Sequence, residues 1–378
     1  MQFHKHLIKL MNEFFSKWRY WGFALAIYNL IWWLCFYLRP PFALKVSAWA
    51  LKRKTLIFDN YFNKKYADVI NQYKRNLIST PVNSICIWVF WGQGEENMPP
   101  LVKACYRQLT HFNDNVILIT NKNIEDYVIL NPLIYSKVKE GHISWANFSD
   151  IVRTTLLSKY GGLWVDATVW IPQKIPFQIL SNFDIFSPNG RVSQTNRSVQ
   201  FWTSYEWNWS TWYLWSKNAH NKLFLFISSM LQAIGEREKC WPDYVIQDYL
   251  IYYACRFFPD VQKSMEKIQG ISGKRRNDFA SIMNQSFDII QYTHSLHIQP
   301  WQDAITVRLT STYFRLCQMR DSIIHSRIFS MKWDFLVDNK IFYFLSPNQR
   351  LRTGLFVILL LQYVHYPVLL NRPATIVP

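Results

Sequence analysis

The sequence lacks the short motifs of several large enzyme classes. It contains no G-x-x-x-x-G-K-[ST] phosphate loop, no G-x-S-x-G nucleophile motif and no H-E-x-x-H zinc motif. No low-complexity tract or internal repeat stands out along the 378 residues. Half of the residues are hydrophobic, which predicts a globular chain of one large domain or two ordinary ones.

Cysteine is scarce and scattered. The six cysteines form no C-x-x-C pair and no Cys/His spacing that would indicate a zinc site. Most of them lie in apolar runs, where a buried free thiol is the expected state. This usage indicates a reducing, cytosolic compartment.

Acidic residues are few compared with basic ones. The chain has 25 Asp and Glu against 42 Lys and Arg, a formal net charge of +17. Residues 1–80 hold thirteen of the basic residues and only three acids. Such an excess indicates an anionic partner, which could be a membrane surface, a nucleic acid or a phosphorylated ligand.

Long apolar runs are limited to two, at 21–38 and 354–370. The first is just under the roughly 20 residues that span a bilayer, and no signal-peptide cleavage site follows it. Basic residues flank it on both sides, which favours a helix lying on anionic lipid. We expect a peripheral or single-pass protein on the cytoplasmic side of the membrane. Because the charge lies next to an apolar helix, lipid is preferred to nucleic acid as the partner.

The segment after residue 80 alternates strand and helix patterns. A buried strand at 85–91, a helix starting at Pro99–Pro100 and a second strand at 115–120 predict a parallel α/β sheet. Additional strands are predicted at 183–188 and 198–207, and additional helices at 218–236 and 242–258.

The stretch 144–170 carries the most polar residues in an apolar setting. Ser144 or Asn147 can cap a helix that ends at two glycines, Gly161 and Gly162. "LWVDATVW" then predicts one strand, with Asp166 and Thr168 side by side on one face. Each feature has a structural explanation when taken alone. Asp150 and Arg153 could form a surface ion pair, the two glycines could cap the helix, and Asp166 could be a hydrogen-bonded residue of a strand. The combination indicates a site, because an Asp in an apolar strand must be satisfied or have a function.

The chain resembles the capsular polysaccharide synthesis proteins, a bacterial branch of the DXD-containing sugar transferases that also includes yeast mannosyltransferases and clostridial glucosylating toxins. The resemblance rests on the segments "IWVFWGQGEENMPPLVKACYRQL", "NVILITNKN" and "ISWANFSDIVRTTLLSKYGGLWVDATV". It is dense over about residues 84–171 and looser up to about residue 315, where "VRLTSTY" is similar to a closing motif.

This resemblance implies a GT-A-type, Rossmann-like mixed sheet flanked by helices. The expected organisation is a basic, membrane-associating helical region at 1–80, a glycosyltransferase domain at 81–320 and an extension at 321–378 with an apolar helix. By position, Asp150 would bind ribose or sugar hydroxyls of the donor, Arg153 the donor sugar or a phosphate, and Asp166 the metal. The resemblance also places Gly161 and Gly162 at the donor, and Trp88 and Trp91 in the region that holds the base. For both tryptophans core packing is the alternative, and it is preferred for Trp88.

Transfer of a sugar from a diphosphate places negative charge on the leaving group, which a divalent cation or basic side chains must stabilise. Hard oxygen ligands suit Mn²⁺ or Mg²⁺. Asp166 supplies one carboxylate, whereas Thr168 replaces the second Asp of the wider superfamily. A Thr hydroxyl can bind Mg²⁺, so either Thr168 is a metal ligand or only Asp166 is.

We therefore expect a hexosyltransferase, retaining by resemblance, which moves a sugar from a UDP-sugar to a lipid-linked acceptor in capsule or exopolysaccharide synthesis. The alternative is a non-catalytic, membrane-bound scaffold of the same assembly machinery. Weaker candidates for acceptor or ligand contacts are the tryptophan-rich segment 201–215, Gln247 with Asp248, and the pair His294 and His297. For these, core packing or a solvated helix face is the competing interpretation.

Overall fold

The computed structural model describes residues 2–38, 43–75, 77–82, 84–171, 173–188, 209–268 and 307–308. The chain divides into two compact units. The first comprises Met1–Phe90, Ile117–Val165 and Phe177–Lys274, and the second comprises Trp91–Val116, Asp166–Pro176 and Arg275–Pro378.

Helices form the amino-terminal part of the first unit, as the sequence predicts. They are α1 (Gln2–Trp21), α2 (Phe23–Leu38), α3 (Ala43–Lys65) and α4 (Ala67–Gln72). Helix α2 packs against both α1 and α3, and its side chains Leu25, Ala26 and Trp32 are buried. Much of the apolar character of residues 21–38 therefore serves packing within the protein. Among the described residues, none of the helices combines the length and apolar character that crossing a bilayer requires.

The remaining elements alternate helices and short strands. The helices are α5 (Pro100–Phe112), α6 (Ile124–Tyr127), α7 (Pro132–Lys139), α8 (Trp145–Tyr160), α9 (Phe177–Leu180), α10 (Lys222–Arg237), α11 (Ile246–Phe257) and α12 (Pro259–Ile268). The strands are β1 (Thr80–Pro81), β2 (Ile87–Phe90), β3 (Val116–Ile119), β4 (Gly162–Val165), β5 (Val169–Trp170), β6 (Ile185–Phe186), β7 (Tyr213–Ser216), β8 (Asn218–Ala219) and β9 (Val307–Arg308).

A five-stranded mixed sheet lies at the centre of the first unit, with the order β3-β2-β4-β7-β6. Strand β4 is the middle strand; it runs parallel to β2 and antiparallel to β7. Helix α8 contacts β2, β4 and β7 on one side and packs against α10 on the other. These elements confirm the predicted α/β class. The amino-terminal helices belong to the same compact unit, which runs without interruption through the predicted boundary at residue 80.

The prediction of one continuous strand over "LWVDATVW" is wrong. Strand β4 ends at Val165, and a turn follows in which the Val169 amide donates to the Asp166 carbonyl at 2.9 Å. Strand β5 then pairs with β9, in a separate two-stranded sheet. Asp166 and Thr168 therefore lie in a turn rather than on one face of a strand. Apolar residues on both sides of the turn, at 163–165 and 169–170, continue the strand pattern and conceal the turn, although Asp is a common turn residue.

Several sequence-based predictions fall outside the described residues. These are the strand at 198–207, the pair His294 and His297, the apolar run at 354–370 and Cys317. The other five cysteines are free thiols, as expected.

Candidate donor site

Helix α8 carries Asp150 and Arg153, and its ends are formed as predicted. The Ser144 hydroxyl accepts a hydrogen bond from the Asn147 amide at 3.2 Å, which caps the amino terminus. Gly161 follows the last turn with φ +66° and donates its amide to the Leu157 carbonyl. The helix therefore begins and ends at fixed positions, and residues 150 and 153 lie one turn apart on adjoining faces.

Arg153 is buried, with only 5% of its surface exposed. Its guanidinium carbon lies 5.2 Å from the centre of the Trp164 ring, and its Nη1 donates to the Thr211 carbonyl at 2.6 Å. Its Nη2 lies 3.3 Å from Oδ1 of Asp150 and donates to the Ser149 hydroxyl at the same distance. Because several protein groups hold the guanidinium, Arg153 fixes the position of the Asp150 carboxylate.

The two glycines after α8 are explained by backbone geometry. Gly162 has φ +87°, and a Cβ on it would lie 2.4 Å from the Cys86 carbonyl oxygen. A Cβ on Gly161 would lie 2.9 Å from the backbone carbon of Asn218. The approach of Gly162 to Cys86 allows β4 to start beside β2, and the approach of Gly161 to Asn218 brings the end of α8 against β8. Both glycines thereby position the strand that leads to Asp166. Direct contact of either glycine with a donor stays a prediction.

Trp88 belongs to the core, and core packing is the interpretation that the sequence analysis prefers. Its side chain is 2% exposed, and its indole nitrogen donates to the Gly161 carbonyl at 2.9 Å. Its ring packs against Tyr160, with ring centres 5.4 Å apart. Trp91, three residues later, is the first residue of the second unit and is half-buried. Of the two tryptophans, Trp91 is the better candidate for contact with a base.

The turn Asp166–Thr168 belongs to the second unit, at the start of its segment Asp166–Pro176. Asp166 directly follows the carboxyl end of β4 and is half-buried, as is Thr168. In open α/β sheets ligands bind outside the carboxyl ends of strands. The sequence therefore places a carboxylate and a hydroxyl at the position where this rule expects a ligand.

A divalent cation would find few protein ligands here. The turn supplies one carboxylate and one hydroxyl, and in the described part of the chain no cluster of three or more His, Cys, Asp or Glu side chains could hold a metal. Mg²⁺ commonly keeps several waters and uses substrate phosphates as ligands. The described residues therefore fit a cation only if a donor diphosphate and water complete its shell.

The tryptophan-rich segment 201–215 is described from residue 209 onward. Trp209, Trp212 and Trp215 are all buried, which favours core packing for this part of the segment. Gln247 is buried rather than solvated, at 2% exposure, and neither atom of its side-chain amide has a hydrogen-bond partner among the described residues. Asp248 is half-buried.

Sequence reasoning missed a buried ion pair. Lys54, one of the thirteen basic residues of 1–80, is 1% exposed and pairs with Asp243. Its ammonium also donates to the Asn29 side chain at 3.1 Å and lies 5.6 Å from the centre of the Trp32 ring. Burial acts to raise the pKa of Asp243, but Lys54 and Lys17 outweigh burial and hold this pKa below its usual range. No local pattern in the sequence distinguishes Lys54 from its solvated neighbours.

A second polar cluster joins the amino-terminal helices to α10. The Glu238 carboxylate accepts hydrogen bonds from the hydroxyls of Tyr61 at 3.0 Å and Tyr66 at 2.6 Å. It also pairs with Lys65 at 2.8 Å. Lys137 donates to three carbonyls at the end of the same helix, including that of Glu238. The basic helices are therefore fixed to the sheet-bearing part of the first unit.

The protein is therefore of the α/β class. Asp166, which follows the middle strand of its mixed sheet, marks a candidate ligand site. The family model described as capsular polysaccharide synthesis protein matches residues 42–304. The chain belongs to this family, which indicates a role in capsule biosynthesis. Neither the curated proteins nor the solved structures include a significant match to the chain.

Proposed function

We propose that this chain is a glycosyltransferase that moves a hexose-type sugar from a UDP-sugar to a lipid-linked acceptor during capsule synthesis. The observation that carries the proposal is the position of Asp166 directly after β4, the middle strand of the mixed sheet. Beside β4 the sheet changes from parallel to antiparallel pairing. Family membership supports the pathway, and the strand-end position supports a ligand site.

The proposed roles follow from the surroundings of each side chain. Asp150 accepts hydrogen bonds from hydroxyls of the donor, and Arg153 acts as a positioning residue that holds this carboxylate. Direct contact of Arg153 with the donor is less favoured, because its guanidinium already meets Trp164 and the Thr211 carbonyl. Trp91 is the proposed surface for the uracil ring.

The reaction breaks the bond between the anomeric carbon and the diphosphate oxygen, and forms a bond from that carbon to an acceptor hydroxyl. The acceptor hydroxyl loses its proton to water, and UDP departs with the bonding electron pair. Asp166 and Thr168 would hold Mn²⁺ or Mg²⁺ together with the donor phosphates, and such a cation would offset the charge on UDP. Retention of the anomeric configuration, which the family resemblance implies, stays part of the proposal.

A thermal-shift screen of nucleotide sugars, with and without Mn²⁺, tests donor binding. We expect a UDP-sugar to raise the unfolding temperature, and Asp150→Asn to abolish that rise. The unliganded variant should itself unfold at a lower temperature, because it removes the carboxylate that pairs with buried Arg153, so each rise is measured against the same variant without ligand. Asp126→Asn is the matched control, since Asp126 is exposed on α6. Absence of any nucleotide-sugar effect would favour the alternative, a non-catalytic scaffold of the assembly machinery.

A further inference from the structure

Helix α1 has an exposed apolar face in addition to the face that packs inside the protein. Leu10, Lys17 and Trp21 are directed inward: Leu10 and Lys17 are buried, and the Trp21 indole nitrogen donates to the Cys240 carbonyl at 2.9 Å. At about 100° per residue, positions 11, 15 and 18 lie about 100° around the helix from this inner face. These positions hold large apolar side chains that the protein core does not use.

We name this exposed surface the aromatic face, and it consists of Met11, Phe15, Trp18 and Phe23. Their side chains are 36%, 54%, 48% and 53% exposed. The rings of Phe15 and Trp18 stack with centres 6.3 Å apart, and Phe23 meets Trp18 edge to face at 5.4 Å. The surface is therefore continuous across the end of α1 and the start of α2. Continuous exposed apolar patches mark interaction sites, whereas single exposed apolar residues do not.

Exposed basic residues lie on α1 and on α3. Arg19 is exposed on α1. At about 100° per residue, it lies about 40° around the helix from Phe15, next to the aromatic face. On α3, Lys45, Trp49 and Lys52 are spaced four and three residues apart, so they share a helix face; all three are exposed. Within residues 1–80, Lys17 and Lys54 are buried and paired with acids, so they are not counted in this surface charge.

We propose that the aromatic face inserts into the headgroup region of an anionic lipid bilayer. Trp and Phe favour this depth, and exposed Lys and Arg bind anionic lipid headgroups. A second copy of the chain would bring the excess positive charge of residues 1–80 against itself, so charge complementarity favours lipid over self-association. The contact surface is therefore the end of α1 with the start of α2, and not the apolar run 21–38 as a whole.

The test is flotation of the purified full-length chain with vesicles of phosphatidylcholine, with and without phosphatidylglycerol. We expect binding to the anionic vesicles that weakens as salt increases. The variant Phe15→Gln/Trp18→Gln should bind about tenfold or more weakly. The matched control Ile129→Gln, which alters a residue 83% exposed elsewhere in the same unit, should bind like the wild type. Replacement of Lys45 and Lys52 by Gln should reduce the salt-sensitive part of binding.

Equal binding by the wild type and the Phe15→Gln/Trp18→Gln variant would overturn the proposal, as would absence of wild-type binding to anionic vesicles. A wild-type dimer that this variant converts to a monomer, without vesicle binding, would identify a second copy as the occupant and overturn it too. The inference deepens the proposed function, whose acceptor is lipid-linked, and does not depend on the donor site. The donor-dependent thermal shift of the same variants separates the two, since it should be unchanged.

Discussion

Arg153 lies over the ring of Trp164, with its guanidinium carbon 5.2 Å from the ring centre, and thereby connects α8 to the middle strand of the sheet. The same guanidinium pairs with Asp150 at 3.3 Å. A planar group can stack and donate in several directions at once, which an ammonium cannot do. This relationship makes Arg153 the structural support of the proposed donor contact at Asp150.

Arg153→Lys should therefore lower the free energy of unfolding by about 1–3 kcal/mol, although the charge is retained. The measurement is urea unfolding followed by circular dichroism. Arg75→Lys is the matched control, because Arg75 is exposed in the first unit and should change the free energy by less than about 0.5 kcal/mol. Equal stability of Arg153→Lys and wild type would contradict the supporting role.

Gly162→Ala should prevent folding or destabilise the protein by several kcal/mol. Its φ of +87° is unfavourable for alanine, and the new Cβ would lie 2.4 Å from the Cys86 carbonyl oxygen. Gly141→Ala is the matched control, since Gly141 has φ +78° but no atom within 4 Å of an added Cβ. Its cost should be only the backbone strain, about 1–2 kcal/mol. Similar unfolding temperatures for the two variants would show that the close approach of β4 to β2 is not required.

Asp243→Asn should destabilise the protein at neutral pH by about 3–5 kcal/mol, because it leaves the Lys54 ammonium buried without its carboxylate. The pKa of Asp243 is lower in the folded protein than in the unfolded chain. Its contribution to stability is therefore present above about pH 4 and is lost as the pH falls through the folded value. The difference between variant and wild type should shrink below about pH 4. Urea unfolding at several pH values measures this stability difference, with Asp126→Asn as the control. A stability difference that does not depend on pH would contradict the role of the Lys54–Asp243 pair.

Thr168→Asp should strengthen Mn²⁺ binding in the presence of UDP by about tenfold, because a second carboxylate adds a charged oxygen ligand. Titration calorimetry of Mn²⁺ into the protein with UDP measures the change. Thr110→Asp, at an exposed position of α5 in the same unit, should leave Mn²⁺ affinity unchanged. If Thr110→Asp and Thr168→Asp gave the same increase, nonspecific charge would explain the effect, and Thr168 would not lie at a metal site.

The sequence predicted the elements that depend on local signals. Ser144 and Gly161 mark the ends of α8. The apolar runs identify β2, which is mostly buried, and β3, which is mostly half-buried, both close to their observed bounds. The turn at Asp166 was missed, because apolar residues on both sides continue the strand pattern. Here the chain leaves the central sheet after β4, and β5 pairs with β9 in a separate sheet. This long-range pairing leaves no local signal in the sequence.

The residue pattern at 144–170 indicated a site, and the family resemblance supplied the role of each residue. The structure then distinguishes these residues by their burial and contacts. Trp88 packs against Tyr160 in the core, as the preferred interpretation of its apolar run predicts. Lys54 looks like a surface charge but pairs with Asp243, 189 residues away along the chain. Contacts between residues so distant in sequence leave no periodic signal, so burial of polar side chains could not be inferred locally.

The release of UDP from UDP-sugars tests the central claim, that Asp166 at the end of β4 belongs to a glycosyltransferase site. UDP formed by the wild-type chain with Mn²⁺ should fall at least about a hundredfold in Asp166→Asn, while the unfolding temperature stays the same. Asp114→Asn, which alters an exposed carboxylate in the same unit, should retain wild-type release. Undiminished release by a folded Asp166→Asn variant would contradict the account.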